Sequence, residues 1–201
     1  IGGIGGAVVL TNLDPALRTI HLMGAEFIAA LTVLSFVQST NGNSERNYSI
    51  ISKENARVFT YCLIALSFIL LSILTGAYAV WKGAGSICPS WPLCGGVFIP
   101  NTELTLIHSI HRITSIMSSF IILLIFLKTL KISGISFGLR TSINIIVLLM
   151  LAQVLVGATN PWSGFQPWAR ATHLSLATLL WMNMVLIVAL LRFGIPNYRN
   201  Q

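Results

Sequence analysis

Five stretches of this chain, residues 16–38, 57–80, 105–127, 141–160 and 168–191, run almost without charge for long enough to cross a bilayer. A hydrocarbon core takes about 20 apolar residues in helical form, and inside it only a helix pairs its own backbone donors and acceptors within one segment. The fold class that follows is all-α: a polytopic transmembrane bundle of five full spans, with membrane lipid as its first partner. A partial helix is expected at Ile1–Leu10, an apolar, glycine-rich run too short to span. No charged n-region accompanies that run, which argues against a signal peptide, so we expect the tail of a helix whose start precedes Ile1.

Apolar residues make up 55% of the chain and charged residues 8%, more apolar surface than a water-soluble core of this length hides. The net charge of +7 could point to nucleic acid, but the basic residues sit in short runs between spans without interleaved aromatics, and nucleic acid is set aside. Arg46, Lys53, Arg57, Lys128, Lys131, Arg140, Arg192 and Arg199 gather at one set of ends, leaving Arg18, Lys82, Arg112 and Arg170 at the other. By the positive-inside rule the first set is cytoplasmic. The loop from Lys82 to Leu104 then faces outward, and the helices after Pro15, Thr102 and Pro167 run from outside to inside.

That loop contains Cys88-Pro89-Ser90-Trp91-Pro92-Leu93-Cys94. Two thiols on a proline-bent loop in an oxidising compartment favour a disulfide over two free thiols. The spacing is not that of a zinc ribbon, and no matching second pair exists. Cys62, within an apolar span, reads as an inert packed thiol.

The chain also repeats. Asp14-Pro15-Ala16-Leu17-Arg18-Thr19-Ile20-His21 and Gln166-Pro167-Trp168-Ala169-Arg170-Ala171-Thr172-His173 share a proline, an arginine and a histidine at equal spacing, and Gly6-Ala7-Val8 stands where Gly157-Ala158-Thr159 stands later. Residues 57–201 read as a four-helix unit, residues 1–38 as the end of an earlier copy, and 39–56 as a cytoplasmic linker. A parent of eight helices follows, with the first copy's counterpart of the His111 helix outside this chain. His21 and His173 lie about five residues into their spans and His111 about six, so all three sit roughly 8–9 Å below the outer boundary at 1.5 Å per residue.

A lone histidine on an apolar face is most often a packed core residue. His111 and His173, on parallel helices of one unit at matched depth, read better as two axial ligands of a heme iron. Arg112 adjoins one of them, while Arg170 and Arg18 precede His173 and His21 by one turn toward the surface. Propionates would emerge there and could be held bidentately; the alternative is that these arginines snorkel to the headgroups. His108 is either an outer partner of His111 or an interfacial residue. Glu26 is the one carboxyl inside an apolar span and receives no role.

Gly83-Ala84-Gly85, the Cys88 to Cys94 loop, His111-Arg112, Gln153-Val154-Leu155-Val156-Gly157-Ala158 and His173 together resemble the heme A synthase family in its carboxyl-terminal half. The likeness covers about residues 60–190, and Ile1–Leu34 resembles the end of the amino-terminal half; Ser90 departs from the Asp or Gly often found there. The resemblance implies two four-helix repeats, and an oxidoreductase that converts the methyl group of heme O to the formyl group of heme A for cytochrome oxidase biogenesis. It further implies that His111 and His173 ligate a heme b as cofactor, with Arg112 and Arg170 beside it. His21, with Arg18, would belong to the substrate heme O site, and Cys88 and Cys94 would form the loop disulfide.

The family's catalytic glutamate and second substrate-site histidine fall on a helix outside this chain, so this piece alone is expected to be inactive. Implied partners are a heme O synthase and an electron acceptor such as a quinone, with homo-oligomerisation open. The implied location is a prokaryotic cell membrane or the mitochondrial inner membrane. A bis-histidine cytochrome b that only moves electrons is the alternative; a heme-free transporter or assembly scaffold is a third class.

Overall fold

The computed structural model describes residues 1–40, 53–88, 90, 91, 94 and 100–193. Arg46, Arg199, most of the expected 39–56 linker, and Pro89, Pro92, Leu93, Gly95 and Gly96 of the loop lie outside the described residues. Among the described residues the chain forms α1 (Gly2–Leu10), α2 (Pro15–Thr40), α3 (Lys53–Trp81), α4 (Glu103–Thr129), α5 (Phe137–Trp162) and α6 (Pro167–Phe193), with one 3-10 turn at Ala84–Ser86. The five long helices are the expected spans, each running one to four residues further at either end, because a helix continues into the interface until a polar group caps it.

Those caps are legible. Asp14 Oδ1 accepts from the N–H groups of Ala16 at 2.9 Å and Leu17 at 3.0 Å, and Pro15 fills the first helical position, where no intrahelical donor is lost. Thr102 and Thr105 form a reciprocal capping box at the head of α4, with Glu103 in the electropositive first turn. This cap starts α4 two residues earlier than expected, so His111 sits about 3 Å further along its helix than a start at 105 would place it.

The molecule is apolar on both sides, as lipid solvation allows. Leu31, Ile116, Leu148 and Leu155 are each more than 60% exposed along the outer faces, and the exposed Trp162 and Trp168 flank the α5–α6 turn as an interfacial belt would. Inside, a continuous core joins Val58 to Ile73 of α3, Ile121 to Ile125 of α4, Ile143 to Met150 of α5 and Leu180 to Ile187 of α6. It fills the end of the bundle away from the histidines. Near His111 the contact changes character: Ser72 Oγ meets Ser115 Oγ at 2.6 Å and Thr75 Oγ1 meets Thr114 Oγ1 at 3.3 Å. Small hydroxyl side chains let α3 and α4 approach closely in the membrane.

The repeat extends to backbone detail. Asn12 and Leu13 take left-handed φ of 53° and 67°, and Gly164 and Phe165 take 65° and 59°. Leu13 N–H donates to Val8 O at 2.9 Å, as Phe165 N–H donates to Asn160 O at 2.8 Å. In this register Gly5, not Gly6, corresponds to Gly157, a one-residue correction to the alignment read from sequence. Glu26 Oε1 accepts from Thr178 Oγ1 at 2.7 Å, and these two residues are 152 positions apart, the same offset that relates His21 to His173. Equivalent residues can touch only where the local two-fold relation between α2 and α6 passes.

Cys88 and Cys94 are joined, with Cα atoms 4.6 Å apart, while Cys62 is a buried free thiol. Alkylation of denatured, unreduced protein should therefore label one cysteine per chain, and labelling after reduction should reach all three. Three labels before reduction would refute the bond.

Candidate functional site

α4 and α6 bring His111 and His173 together, with ring centroids 6.4 Å apart and ring planes at 87°. Two imidazoles gripping one metal from opposite sides, each nitrogen about 2.0–2.1 Å from it and about 1.1 Å from its own ring centre, would place the centroids about 6.3 Å apart. The observed centroid separation is close to that distance.

Protonation follows from the partners. His111 Nδ1–H donates to the Ser72 carbonyl at 3.0 Å, which leaves Nε2 as the lone-pair nitrogen. Gln153 Nε2–H approaches His173 Nε2 at 3.4 Å, so that nitrogen too is the acceptor. Gln153 Oε1 is buried without a hydrogen-bond partner, while the His173 ring also faces the Gln153 backbone carbonyl. An interior polar atom is rarely left so, and this one stands beside the His173 imidazole. Backbone comes close as well: Gly76 of α3 and Gly157 of α5 lie directly against the two rings.

The loop after α3 is tied to the same helix. His108, buried, donates from Nδ1–H to Ala84 O at 3.1 Å, with its ring centroid 6.5 Å from that of His111. Arg112 Nη2 donates to Ser90 O at 2.9 Å. Arg112, expected at a propionate, thus also braces the disulfide loop onto the head of α4, and His108 does the same one turn earlier.

His21 stands apart from this pair. Its ring lies against Gly5 of α1, and its Nδ1 is buried without a partner. Arg18 stacks over the Trp81 ring with its Cζ 4.9 Å from the centroid, joining the start of α2 to the end of α3. Arg170 is exposed at the start of α6.

Reading the sequence missed four contributors. Gly76 and Ser72 are distant from His111 along the chain and act through backbone atoms, which no side-chain motif reports. Thr178 and Trp181 supply Glu26 Oε1 and the Glu26 carbonyl with donors at 2.7 and 2.9 Å; Thr178 could have been found by carrying the repeat offset onward from His21 to Glu26.

Residues 2–185 match the family described as cytochrome oxidase assembly protein. Among curated proteins, the chain is 26% identical over 154 residues to heme A synthase of Shouchella clausii, covering 76% of this chain and 50% of the relative. It is 28% identical over 139 residues to the heme A synthases of Bacillus mycoides and Bacillus cereus, covering 67% of this chain and 45% of each relative. The chain spans about half the length of the curated relatives it matches.

Proposed function

Since the chain belongs to the heme A synthase family of cytochrome oxidase assembly proteins, we propose that it is the part of such an enzyme that holds a heme b between His111 and His173. The carrying observation is the 6.4 Å separation of two imidazoles whose Nε2 atoms are both unprotonated. The donor set fits the group: two neutral nitrogens need no protein charge, and Arg112 follows His111 on α4 while Arg170 stands at the start of α6, where a carboxylate would emerge. Loading the site requires the Gln153 amide to give up its contact with His173, which at 3.4 Å is a long hydrogen bond.

For the whole protein the proposed reaction is oxidation of the heme O methyl to the formyl of heme A. Written in balance, a methyl group and one water give an aldehyde, four protons and four electrons. The heme b would accept and pass on electrons toward an acceptor such as a quinone. In this chain, Ser72 fixes the His111 tautomer, His108 and Arg112 clamp the oxidised loop over the α4 entrance, and the apolar core below excludes water. His21 and Arg18 belong, in this reading, to the substrate site, whose acid lies on a helix outside this chain. Residues 57–201 would be the heme b domain, and the Cys88–Cys94 loop would face the outer side of a prokaryotic cell membrane or the mitochondrial inner membrane. Heme O synthase is the proposed supplier of substrate.

Co-expression of the full-length protein with a heme O synthase, followed by extraction and chromatography of total heme, tests the activity. Heme A or a hydroxylated precursor is expected, and its absence alongside a normal b-type spectrum would leave the second reading, a cytochrome b that only transfers electrons.

A further inference from the structure

Each of His21, His111 and His173 lies edge-on against a glycine of a neighbouring helix. A β-carbon at position 76 would stand 2.7 Å from His111 Cε1 and 2.9 Å from its Nδ1. One at position 157 would stand 2.9 Å from His173 Cε1, and one at position 5 would stand 3.2 Å from His21 Cε1. The first two are closer than β-carbons come to any atom, so the rings occupy volume that every other residue type would fill. Gly2, Gly3 and Gly6, on the same short helix as Gly5, face nothing within 4 Å, and neither does Gly138 of α5.

The contacts are too regular for chance packing. Gly5 with His21 and Gly157 with His173 are copies at the repeat offset, whereas Gly76 reaches His111 from a helix with no counterpart in the described residues. Glycine is among the poorest helix formers, so its placement within α1, α3 and α5 at these three contacts runs against local preference. In each case the approaching ring atom is Cε1, between the two nitrogens, which sets how the imidazole is turned about its own axis.

We propose that Gly5, Gly76 and Gly157 are positioning residues that fix the rotation of the three imidazoles, and that Gly76 and Gly157 together hold the 87° angle between His111 and His173. The proposal rests on the heme reading above and adds to it a ligand geometry with its own signature. Perpendicular imidazole planes leave two iron d orbitals of π symmetry nearly equal in energy, and a ferric low-spin centre of that kind gives a strongly anisotropic electron paramagnetic resonance signal. Planes turned toward parallel split those orbitals and give an ordinary rhombic signal.

The test is the ferric spectrum and midpoint potential of the purified full-length protein, with Gly76→Ala, Gly157→Ala and the control Gly138→Ala. Wild type and Gly138→Ala should share the strongly anisotropic signal. Gly157→Ala should retain at least half of the heme but move the largest g value down toward the rhombic type, with a changed potential in the same sample. Gly76→Ala, whose added methyl meets two ring atoms, should move it further or lose the heme. If Gly76→Ala does not accumulate, Gly157→Ala decides alone. Spectra of both variants that overlay the wild type would overturn the proposal, and so would failure of both to accumulate, which would assign the glycines to helix packing. A wild-type protein with no heme signal is a different result, and would sink the heme reading itself.

Discussion

His111→Ala and His173→Ala should each strip the purified protein of its low-spin heme spectrum, while His21→Ala should leave that spectrum in place. Removing an outer hydrogen-bond partner of a metal ligand commonly costs about 10–100-fold in affinity, and removing the ligand itself should cost more, on the order of 100-fold or beyond. Both imidazoles have Nε2 as the lone-pair nitrogen, and neither has a neighbouring side chain placed to replace it. His108 is the nearest candidate, but its Nδ1 is tied to the Ala84 carbonyl and its ring is part of the loop clamp. The measurement is Soret absorbance per mole of detergent-solubilised protein, with the reduced-minus-oxidised spectrum to report spin state. An unchanged Soret band in His111→Ala would remove the proposed site.

Thr178→Val should lower the thermal stability of the solubilised protein by about 1–3 kcal/mol, since the hydroxyl that supplies Glu26 Oε1 has no substitute and the other carboxyl oxygen is already without a partner. Glu26 is 2% exposed at the α2–α6 contact, so the loss is felt as an unsatisfied polar group within the bundle, not at a wet surface. Replacing both residues by apolar ones, Glu26→Leu with Thr178→Val, should recover most of that loss, because no buried acceptor is then left unpaired. The Trp181 Nε1–H bond to the Glu26 backbone carbonyl, 2.9 Å, survives either change. Unfolding in dodecyl maltoside followed by circular dichroism gives the cycle. A Thr178→Val protein as stable as wild type, or a double variant weaker than both singles, would show that the contact between the repeats is not held by this pair.

The parts of the structure that were legible in sequence are those governed by single segments. Pro15 and Pro167 mark helix starts because proline costs nothing where the amide has no intrahelical partner. The Cys88 and Cys94 pair could be read from compartment and loop stiffness. The repeat of Pro, Arg and His was visible, yet its register was off by one at Gly6, since a two-glycine run gives no local reason to prefer Gly5. Arg112 and Arg18 show the opposite case. Their positions suggested propionates, and each makes a contact, Ser90 O at 2.9 Å and the Trp81 ring at 4.9 Å, with residues outside its own helix.

By itself the sequence determined that this chain crosses a membrane as helices, where those helices start to within four residues, and which residue types could hold an iron, because backbone satisfaction in hydrocarbon and capping at its edge are decided within one segment. The pairing of His111 with His173 was expected from the repeat; only the tertiary structure decided that Ser72 sets a tautomer, that Gly76 and Gly157 lie against the rings, and that Glu26 faces its own repeat partner. Those outcomes depend on the rotation of one helix against another, which is fixed by close approach at glycine and serine. Such residues leave the space for contact without announcing in sequence what will fill it.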